Sequence, residues 1–396
     1  HGPTCAFKDV ALQILPHFLI LAVRKTGEER EIVILVATSG DTGKAALEGF
    51  RDVPGTRIIV FYPAEGVSRV QELQMVTQEG GNVHVVAVEG NFDDTQTGVK
   101  AIFADPELKN SMAARRLRFS SANSINWGRL VPQIAYYVGA YLEMAARSAI
   151  RKGEAINIAV PTGNFGNILA AYYARAMGLP VARLICASNM NNVLTEFIRT
   201  GVYDRQRTFY TTISPSMDIL ISSNLERLLF LLADRDPGQV ARWMSDLRET
   251  GRYELDPAAL RRLQEEFWGG FAGEEETKAA IRRVWHEYGY LLDPHTAVGW
   301  HVLEEYRQAT GDPTPAVLAA TASPFKFPAA VLGAITGTET PAEDELTLVQ
   351  ALAGATGWPV PACLRGLETR PIRDRRRCRP EEMREEVKTI LGLGGS

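Results

Sequence analysis

Short runs of apolar, often β-branched residues alternate along the chain with segments whose apolar residues recur at helical spacing. Continuous apolar runs indicate strands that are buried on both faces, and such strands occur in parallel sheets covered by helices. The pattern predicts strands at residues 32–37, 57–62, 82–88, 117–120, 156–160, 181–187 and 315–320. It predicts intervening helices near residues 44–50, 68–78, 94–103, 130–150 and 164–177. We therefore expect an α/β fold with mainly parallel sheets.

A change in the pattern predicts where the chain divides. Residues 151–154 are polar, and the alternation of strands and helices restarts after them. Residues from about 225 to 307 are mostly helical and charged in pattern, which predicts a helical insertion. We expect two three-layer α/β domains, over residues 1–150 and 151–340, and a C-terminal helical extension over residues 341–396.

The composition narrows the class of protein. The chain has 396 residues, of which 45% are hydrophobic and 23% are charged, as in a soluble globular protein with room for two domains. A net charge of −4 disfavours nucleic-acid binding as the main function, and no apolar run is long enough to predict a membrane span. The four cysteines are far apart and the six histidines lack metal-ligand spacing, so we expect no metal and no disulfide framework. The expected compartment is the reducing cytoplasm.

One run of charge stands out near the C-terminus. Residues 370–379 contain six arginines. We interpret this run as a solvated surface, with a contact to phosphate or to a partner protein as the alternative.

Lys8 is the first residue with candidate chemistry. It follows the Gly2-Pro3 turn and begins a predicted amphipathic helix. The positive end of the helix dipole disfavours a cation there and is expected to lower the pKa of the amine, which suits a Schiff-base or general-base lysine. Taken alone, Lys8 is also compatible with an ordinary surface lysine.

Polar loops that follow predicted strands are the other candidate sites. Free N–H groups where a loop opens a helix bind anions, and ligands of α/β sheets lie at the carboxyl ends of the strands. The loops lack the spacing of a P-loop or a dinucleotide-binding turn, which disfavours a nucleotide-binding dehydrogenase, although tight turns without function stay possible. Together with Lys8 they suggest a ligand with both a phosphate and a carboxylate. Their candidate residues are Thr38, Ser39, Asp41, Thr42, Ser124, Asn126, Arg129, Gly163, Asn164, Phe165, Gly166, Asn167 and Thr321.

The same segments, taken together, resemble the threonine synthases, a family of fold-type II pyridoxal-phosphate enzymes. The similar segments run in the family's order over about residues 1–330. They are residues 1–9, 38–43, 124–129, 163–167 and 321–327.

The resemblance implies roles for these residues. Lys8 would attach pyridoxal phosphate covalently and act as the catalytic base. Asp41 would face the cofactor ring, and the hydroxyl of Thr321 would bind the pyridine nitrogen. The main-chain N–H groups of Gly163, Asn164, Phe165, Gly166 and Asn167 would hold the cofactor phosphate. Thr38, Ser39 and Thr42 would bind the substrate carboxylate, and Ser124, Asn126 and Arg129 the substrate phosphate.

The resemblance also implies an activity. A threonine synthase converts O-phospho-L-homoserine and water to L-threonine and phosphate, and we expect a monomer or a homodimer that binds neither nucleic acid nor membrane. The alternatives are a related phospholyase or dehydratase that gives a 2-keto acid, and an inactive remnant. The family has a segment of on the order of a hundred residues before the lysine motif, so the resemblance implies that this chain is a fragment.

Overall fold

The structure is a computed structural model of the chain. It describes residues 2–38, 40–64, 67–124, 126–338 and 344–393. Ser39, one of the candidate residues, lies outside this described part.

Seven of the described strands, β1 to β6 and β10 in the numbering below, coincide with the apolar runs in the sequence, and the other four were not predicted. The buried pattern of the first strand is typical, since every residue from Ile32 to Ala37 is buried. The strands are β1 (Glu31–Ala37), β2 (Thr56–Pro63), β3 (Val83–Val88), β4 (Leu117–Ser120), β5 (Ile156–Pro161), β6 (Val181–Ser188), β7 (Val202–Asp204), β8 (Arg252–Glu254), β9 (Phe267–Phe271), β10 (Ala316–Leu318) and β11 (Arg376–Cys378).

Helices connect these strands and cover the sheets. They are α1 (Asp9–Thr26), α2 (Asp41–Phe50), α3 (Arg69–Val76), α4 (Phe92–Ala104), α5 (Pro106–Ala114), α6 (Trp127–Leu130), α7 (Ile134–Ala146), α8 (Gly166–Ala176), α9 (Val193–Thr200), α10 (Leu225–Leu232), α11 (Pro237–Glu249), α12 (Pro257–Glu266), α13 (Glu274–Tyr288), α14 (Pro294–Thr310), α15 (Pro328–Thr336), α16 (Glu345–Thr356) and α17 (Met383–Leu391). Short 3-10 turns lie at Val131–Gln133, Pro215–Met217, Pro324–Lys326, Leu367–Thr369 and Pro380–Glu382.

Two parallel sheets form the framework, as the sequence predicted. One has the order β11-β3-β2-β1-β4 and the other the order β10-β5-β6-β9. A third, two-stranded sheet pairs β7 and β8 antiparallel. In both larger sheets the order in which successive strands are added reverses once, although all the strands stay parallel. The reversal lies between β1 and β4 in one sheet and between β5 and β10 in the other. Such switch points open a crevice at the carboxyl ends of the strands, where ligands of α/β folds bind.

The chain divides into two compact units at positions that differ from the expected ones. The first unit consists of His1–Arg129 with Ala342–Ser396, and the second of Leu130–Pro341. Helix α7, expected in the first domain, belongs to the second unit because it packs on α8, where the Tyr137 hydroxyl donates to the Asn167 carbonyl at 2.8 Å.

The C-terminal segment, expected as a separate helical extension, is part of the first unit. Its strand β11 pairs with β3, so that Cys378 lies opposite Val88. Met383 and Val387 of α17 are buried in the apolar core beneath that sheet. This segment therefore completes the first unit.

The arginine run of residues 370–379 surrounds this added strand. Arg373, Arg376 and Arg377 form ion pairs with Glu79 (3.6 Å), Glu386 (3.5 Å) and Glu89 (2.8 Å), respectively. Because these pairs are largely solvated, each contributes little to stability. The geometry agrees with the interpretation of the run as a surface.

The predicted helical insertion over residues 225–307 is also interrupted. Residues 267–271 form β9, the edge strand of the second sheet, which pairs with β6. Gly269 lets the strand approach α9 closely, since a Cβ there would lie 3.2 Å from the main chain of Thr195, and a Cβ on Gly270 would lie 2.8 Å from the Val302 side chain of α14. Glycines are depleted in strands, so the local pattern did not indicate one here.

No helix in the described part of the chain is both long and apolar enough to cross a membrane. Among the same residues, no group of three or more His, Cys, Asp or Glu side chains is placed to hold a metal ion.

Candidate active site

The turn that carries Lys8 is fixed by a buried carboxylate. Asp9, which is 1% exposed, accepts hydrogen bonds from the N–H groups of Thr4 (2.9 Å) and Ala6 (3.2 Å) and from the Thr4 hydroxyl. Asp9 also begins α1, where its negative charge interacts favourably with the helix dipole. Lys8 is therefore held at the mouth of the helix, with its side chain 22% exposed. Asp9 was not among the residues predicted from the sequence.

The loop after β1 is organised by a threonine. The hydroxyl oxygen of Thr38 accepts hydrogen bonds from the N–H groups of Gly40 (3.0 Å) and Gly43 (2.8 Å). Gly40 has a φ of +126°, a conformation that favours glycine. The loop bends sharply and begins α2 at Asp41. Thr38, predicted as a substrate ligand, thus also shapes the loop.

Asp41 lies close to the Lys8 amine. The Asp41 Oδ2 atom is 3.9 Å from Lys8 Nζ, and the carboxylate is 3% exposed. The Gln71 side-chain amide donates to the other oxygen, Asp41 Oδ1, at 3.0 Å. Because a buried carboxylate favours a nearby ammonium and restricts its position, Asp41 can orient Lys8. Gln71 was missed, since it lies 30 residues away in sequence.

The loop after β4 meets the end of β1. The Asn123 side-chain amide donates to the Ala37 carbonyl at 3.2 Å. Both ends of the Asn126 amide are used within the loop, where its nitrogen donates to Ser121 O (2.8 Å) and its oxygen accepts from Gly128 N (3.0 Å). Asn126, predicted as a phosphate ligand, therefore stabilises the loop.

Arg129 closes the same loop. Its guanidinium donates to the Ala122 carbonyl at 3.0 Å, and the residue is 6% exposed. A buried guanidinium at a switch point is suited to bind phosphate. Thr42 and Ser124, the remaining described candidates of the first unit, are both half-buried, Thr42 in the first turn of α2 and Ser124 in the loop that follows β4.

In the second unit, the loop after β5 presents main-chain donors. It joins Pro161 to α8, which begins at Gly166, and Phe165 adopts a φ of +64°. No described residue accepts a hydrogen bond from the N–H groups of residues 163–167. Free N–H groups at the start of an eleven-residue helix form an anion site. Donors for a phosphate are therefore available at this loop.

Two residues that were not predicted from the sequence orient this loop. The Ser222 hydroxyl donates to the Gly163 carbonyl at 2.8 Å, and the Asn224 amide donates to the Asn164 carbonyl at 2.9 Å. In a trans peptide the N–H points opposite to the C=O. Fixing these two carbonyls therefore turns the N–H groups of Asn164 and Phe165 to the other side of the loop.

Thr321 follows the strand on the other side of the second switch point. It lies three residues beyond β10, which pairs with β5 so that Leu318 is opposite Ala159. Its side chain is half-buried, and no hydrogen bond to its hydroxyl occurs within the described residues. The hydroxyl can therefore donate to a ligand.

These groups match what pyridoxal phosphate requires. The cofactor needs an amine for its aldehyde, donors for its phosphate and a polar group for its ring nitrogen. The first unit supplies the partly exposed Lys8 amine. The second supplies the free N–H groups of residues 163–167 and the Thr321 hydroxyl. Each unit, taken by itself, therefore contains residues of a kind that fits the cofactor.

Comparisons with known proteins agree with this geometry. The family model described as "Pyridoxal-phosphate dependent enzyme" matches residues 1–321, and the model described as "Threonine synthase, C-terminal" matches residues 296–390. The chain therefore belongs to the pyridoxal-phosphate dependent enzymes, with the fold of fold type II, and its cofactor is pyridoxal phosphate. Within that class, it belongs to the threonine synthase family.

Individual relatives support the assignment. The threonine synthase of Pseudomonas aeruginosa is 43% identical over 331 residues, which are 84% of this chain and 67% of that protein. The human protein "Threonine synthase-like 1" is 42% identical over 342 residues, which are 85% of this chain and 45% of that protein. The chain thus spans about half the length of the threonine synthase-like 1 relatives that it matches.

Solved structures have the same fold. The crystal structure of yeast threonine synthase has a TM-score of 0.85 at 33% identity and covers 100% of this chain and 77% of that one. The structure of pyridoxal-phosphate-bound threonine synthase from Brucella melitensis has a TM-score of 0.84 at 39% identity, with 98% and 77% covered.

Proposed function

We propose that the protein converts O-phospho-L-homoserine and water to L-threonine and phosphate. The observation that carries the proposal is that Lys8, Asp41 and Arg129 are all held by the turn and loops around the carboxyl ends of β1 and β4. An amine, a carboxylate that orients it and a buried guanidinium are the groups that a phosphorylated amino acid requires.

The first unit provides the groups that move protons and bind substrate. Lys8 Nζ takes the proton from the substrate α-carbon and then transfers a proton at the β-carbon. Asp41 keeps the amine in place. Arg129 and Ser124 bind the substrate phosphate, in a loop that Asn126 stabilises. Thr38, Ser39 and Thr42 bind the carboxylate. The bond from the γ-carbon to oxygen breaks, phosphate leaves, and a water molecule adds at the β-carbon.

The second unit provides groups that bind the cofactor. The N–H groups of residues 163–167 would hold its phosphate, and the Thr321 hydroxyl would donate to its ring nitrogen. When bound, pyridoxal phosphate takes up the electron pair released at the substrate α-carbon. A neutral hydroxyl at the ring nitrogen leaves that nitrogen largely unprotonated, which moderates this uptake.

Product analysis tests the reaction. The cofactor-loaded protein is incubated with O-phospho-L-homoserine, and threonine and phosphate are measured together. We expect equal amounts of the two products and no turnover of L-homoserine, which lacks the phosphate. Phosphate released together with a 2-keto acid and no threonine would show a phospholyase instead.

Replacement of the lysine tests its role. We expect Lys8→Ala to lower turnover by at least about 10³-fold, because the amine both holds the cofactor and transfers protons. The absorption of the attached cofactor near the edge of the visible range should disappear. Lys25→Ala, at the exposed end of the same helix, is the matched control and should keep both properties. Persistence of the absorption band in Lys8→Ala would assign the attachment to another amine.

A further inference from the structure

Two cysteines far apart in sequence meet beside the Lys8 turn. The Sγ atoms of Cys5 and Cys363 are 3.1 Å apart, although 358 residues separate them. A disulfide bond has a length of about 2.05 Å, so the two sulfur atoms need to approach by only about 1 Å. Both cysteines are present as thiols.

Cys5 belongs to the turn that carries the catalytic lysine. Its N–H donates to the Gly2 carbonyl at 3.2 Å, and its φ is +60°, an uncommon value for a residue with a side chain. Its neighbours Thr4 and Ala6 are both bonded to the buried Asp9 carboxylate. The Cys5 thiol therefore has a fixed position, three residues before Lys8.

Cys363 lies in a second fixed turn. The N–H of Leu364 donates to the Pro361 carbonyl at 2.9 Å, and the Arg370 side chain donates to the Ala362 carbonyl at 3.4 Å. Unlike Cys5, Cys363 is partly exposed, so a small oxidant in solution can reach it.

A lysine lies near the Cys363 thiol. Lys44 is buried, and this burial lowers the pKa of its amine, while negative charge on Cys363 and Glu48 acts in the opposite direction. Its Nζ is 3.3 Å from Glu48 and also bonds to Gln78. Peroxides react with the thiolate form of cysteine, and the partly exposed Cys363 is in contact with the solvent that brings them.

The other two cysteines lack these features. Burial raises the pKa of both the Cys186 and the Cys378 thiol to about 12, which keeps them protonated and unreactive. They serve as internal controls for the pair.

We propose that Cys5 and Cys363 form a reversible disulfide modification site that responds to hydrogen peroxide. The Cys363 thiolate attacks the O–O bond of the peroxide, which gives a sulfenic acid and hydroxide. The Cys5 thiol then attacks the sulfenic sulfur, and the S–O bond breaks as the second hydroxide leaves. The thiol proton and the proton that ionised from Cys363 convert both hydroxides to water. Two electrons pass from the thiols to the peroxide, and a dithiol reductant reverses the change.

The consequence for Lys8 rests on the proposed function. The disulfide would draw the rigid Cys5 turn toward the Cys363 turn, and Lys8 is part of the same hydrogen-bonded unit. Displacements of up to about 1 Å can lower the rate of a positioned catalytic group by up to roughly 10²-fold. We expect oxidation to slow turnover at least tenfold and a dithiol to restore it.

Peptide mapping after mild oxidation tests the site itself. The cofactor-loaded protein is treated with one equivalent of hydrogen peroxide, and the remaining thiols are alkylated before proteolysis. We expect one linked peptide pair, Cys5 with Cys363, two hydrogen masses lighter than the separate peptides, while Cys186 and Cys378 stay reduced. Complete alkylation of Cys5 and Cys363 after oxidation, or linkage only between two molecules, would overturn the proposal.

Variants connect the modification to Lys8. Cys363→Ser and Cys363→Ala should form no linked pair and should keep their turnover and their rate of cofactor attachment after peroxide. If these variants lose activity as the wild-type protein does, the effect on Lys8 is refuted. The linkage is measured by mass and does not depend on turnover. A protein that forms the linkage but makes no threonine in its reduced form would therefore contradict the proposed function and not the site.

Discussion

The two units each carry a loop of small residues at a switch point, but the loops expose different chemical groups. In the loop that begins at Thr38, the Thr38 hydroxyl oxygen accepts hydrogen bonds from the N–H groups of Gly40 and Gly43. The side chain of Asp41 points to Lys8. In the loop of residues 163–167, side chains of Ser222 and Asn224 donate to the carbonyls of Gly163 and Asn164, and the N–H groups have no acceptor in the described part of the chain. The first loop presents a charged side chain and the second presents main-chain donors. Similar sequence patterns therefore support a proton-transfer site in one unit and a phosphate site in the other.

Among changes within the two loops, the largest expected effect comes from Gly40→Ala in the first loop. A Cβ there would lie 2.5 Å from Gln71 Cδ, and the φ of +126° disfavours any side chain. Gln71 is fixed by its bond to Asp41, so either the backbone or that bond must give way. We expect a loss of about 2–4 kcal/mol of stability, measured by urea denaturation, together with lower activity.

An exposed helical glycine provides the control. A Cβ on Gly354, in α16 of the same unit, would have no neighbour within 4 Å. Gly354→Ala should therefore change stability by less than about 1 kcal/mol, toward greater stability, because alanine is the better helix former. Equal stability of the two variants would show that the Gly40 turn is not a strained part of the first loop.

The next effect concerns cofactor affinity and comes from Gly163→Ala in the second loop. The new Cβ would lie 3.1 Å from the Ser216 carbonyl oxygen and 3.2 Å from Met217 Cα. These main-chain atoms cannot move freely, because the Ser216 N–H donates to the buried His295 ring at 3.1 Å. We expect the displaced loop to weaken binding of pyridoxal phosphate by about 2 kcal/mol, roughly thirtyfold, in an equilibrium titration.

Gly139→Ala, on an exposed face of α7 in the same unit, controls for the substitution itself. Its cofactor affinity should equal that of the wild-type protein. A Gly163→Ala variant with unchanged affinity but low turnover would mean that the second loop acts on substrate and not on the cofactor phosphate.

Much of the framework could be predicted from the sequence because buried parallel strands are apolar along their whole length, as β1 is. Strand β11 could not be predicted, since two of its three residues, Arg376 and Arg377, are exposed arginines and only its pairing with β3 makes it a strand. Strand β9 was not predicted because it contains two glycines, Gly269 and Gly270, and glycine is uncommon in strands. Elements at sheet edges depend on tertiary pairing more than on local pattern.

The same distinction holds for the site. Residues at strand ends, such as Asp41 and Gly163, could be predicted from their position in the local pattern. The residues that orient them could not, because Gln71 is 30 residues from Asp41, and Asn224 is 60 residues from Asn164. Hydrogen bonds between distant loops leave no periodic signal in a single sequence.

The smallest effects separate the two residues that orient the second loop. Ser222 is the described donor to the Gly163 carbonyl, whereas the Asn164 carbonyl accepts from both the side chain and the N–H of Asn224. Ser222→Ala removes the bond, but Asn224→Ala leaves the main-chain donor in place. We expect cofactor affinity to fall by about 1 kcal/mol, roughly fivefold, in Ser222→Ala, and by about 0.5 kcal/mol, roughly twofold, in Asn224→Ala.

The neighbouring Ser223 distinguishes orientation of the main chain from general disturbance of the loop. Its hydroxyl donates to the Asn164 side-chain oxygen at 3.1 Å. Ser223→Ala should therefore leave the affinity for pyridoxal phosphate unchanged when all three variants are titrated under one condition. If Ser223→Ala weakens binding as much as Ser222→Ala, loss of any side-chain contact in this loop lowers the affinity. Orientation of the N–H groups through the fixed carbonyls would then not explain the effect.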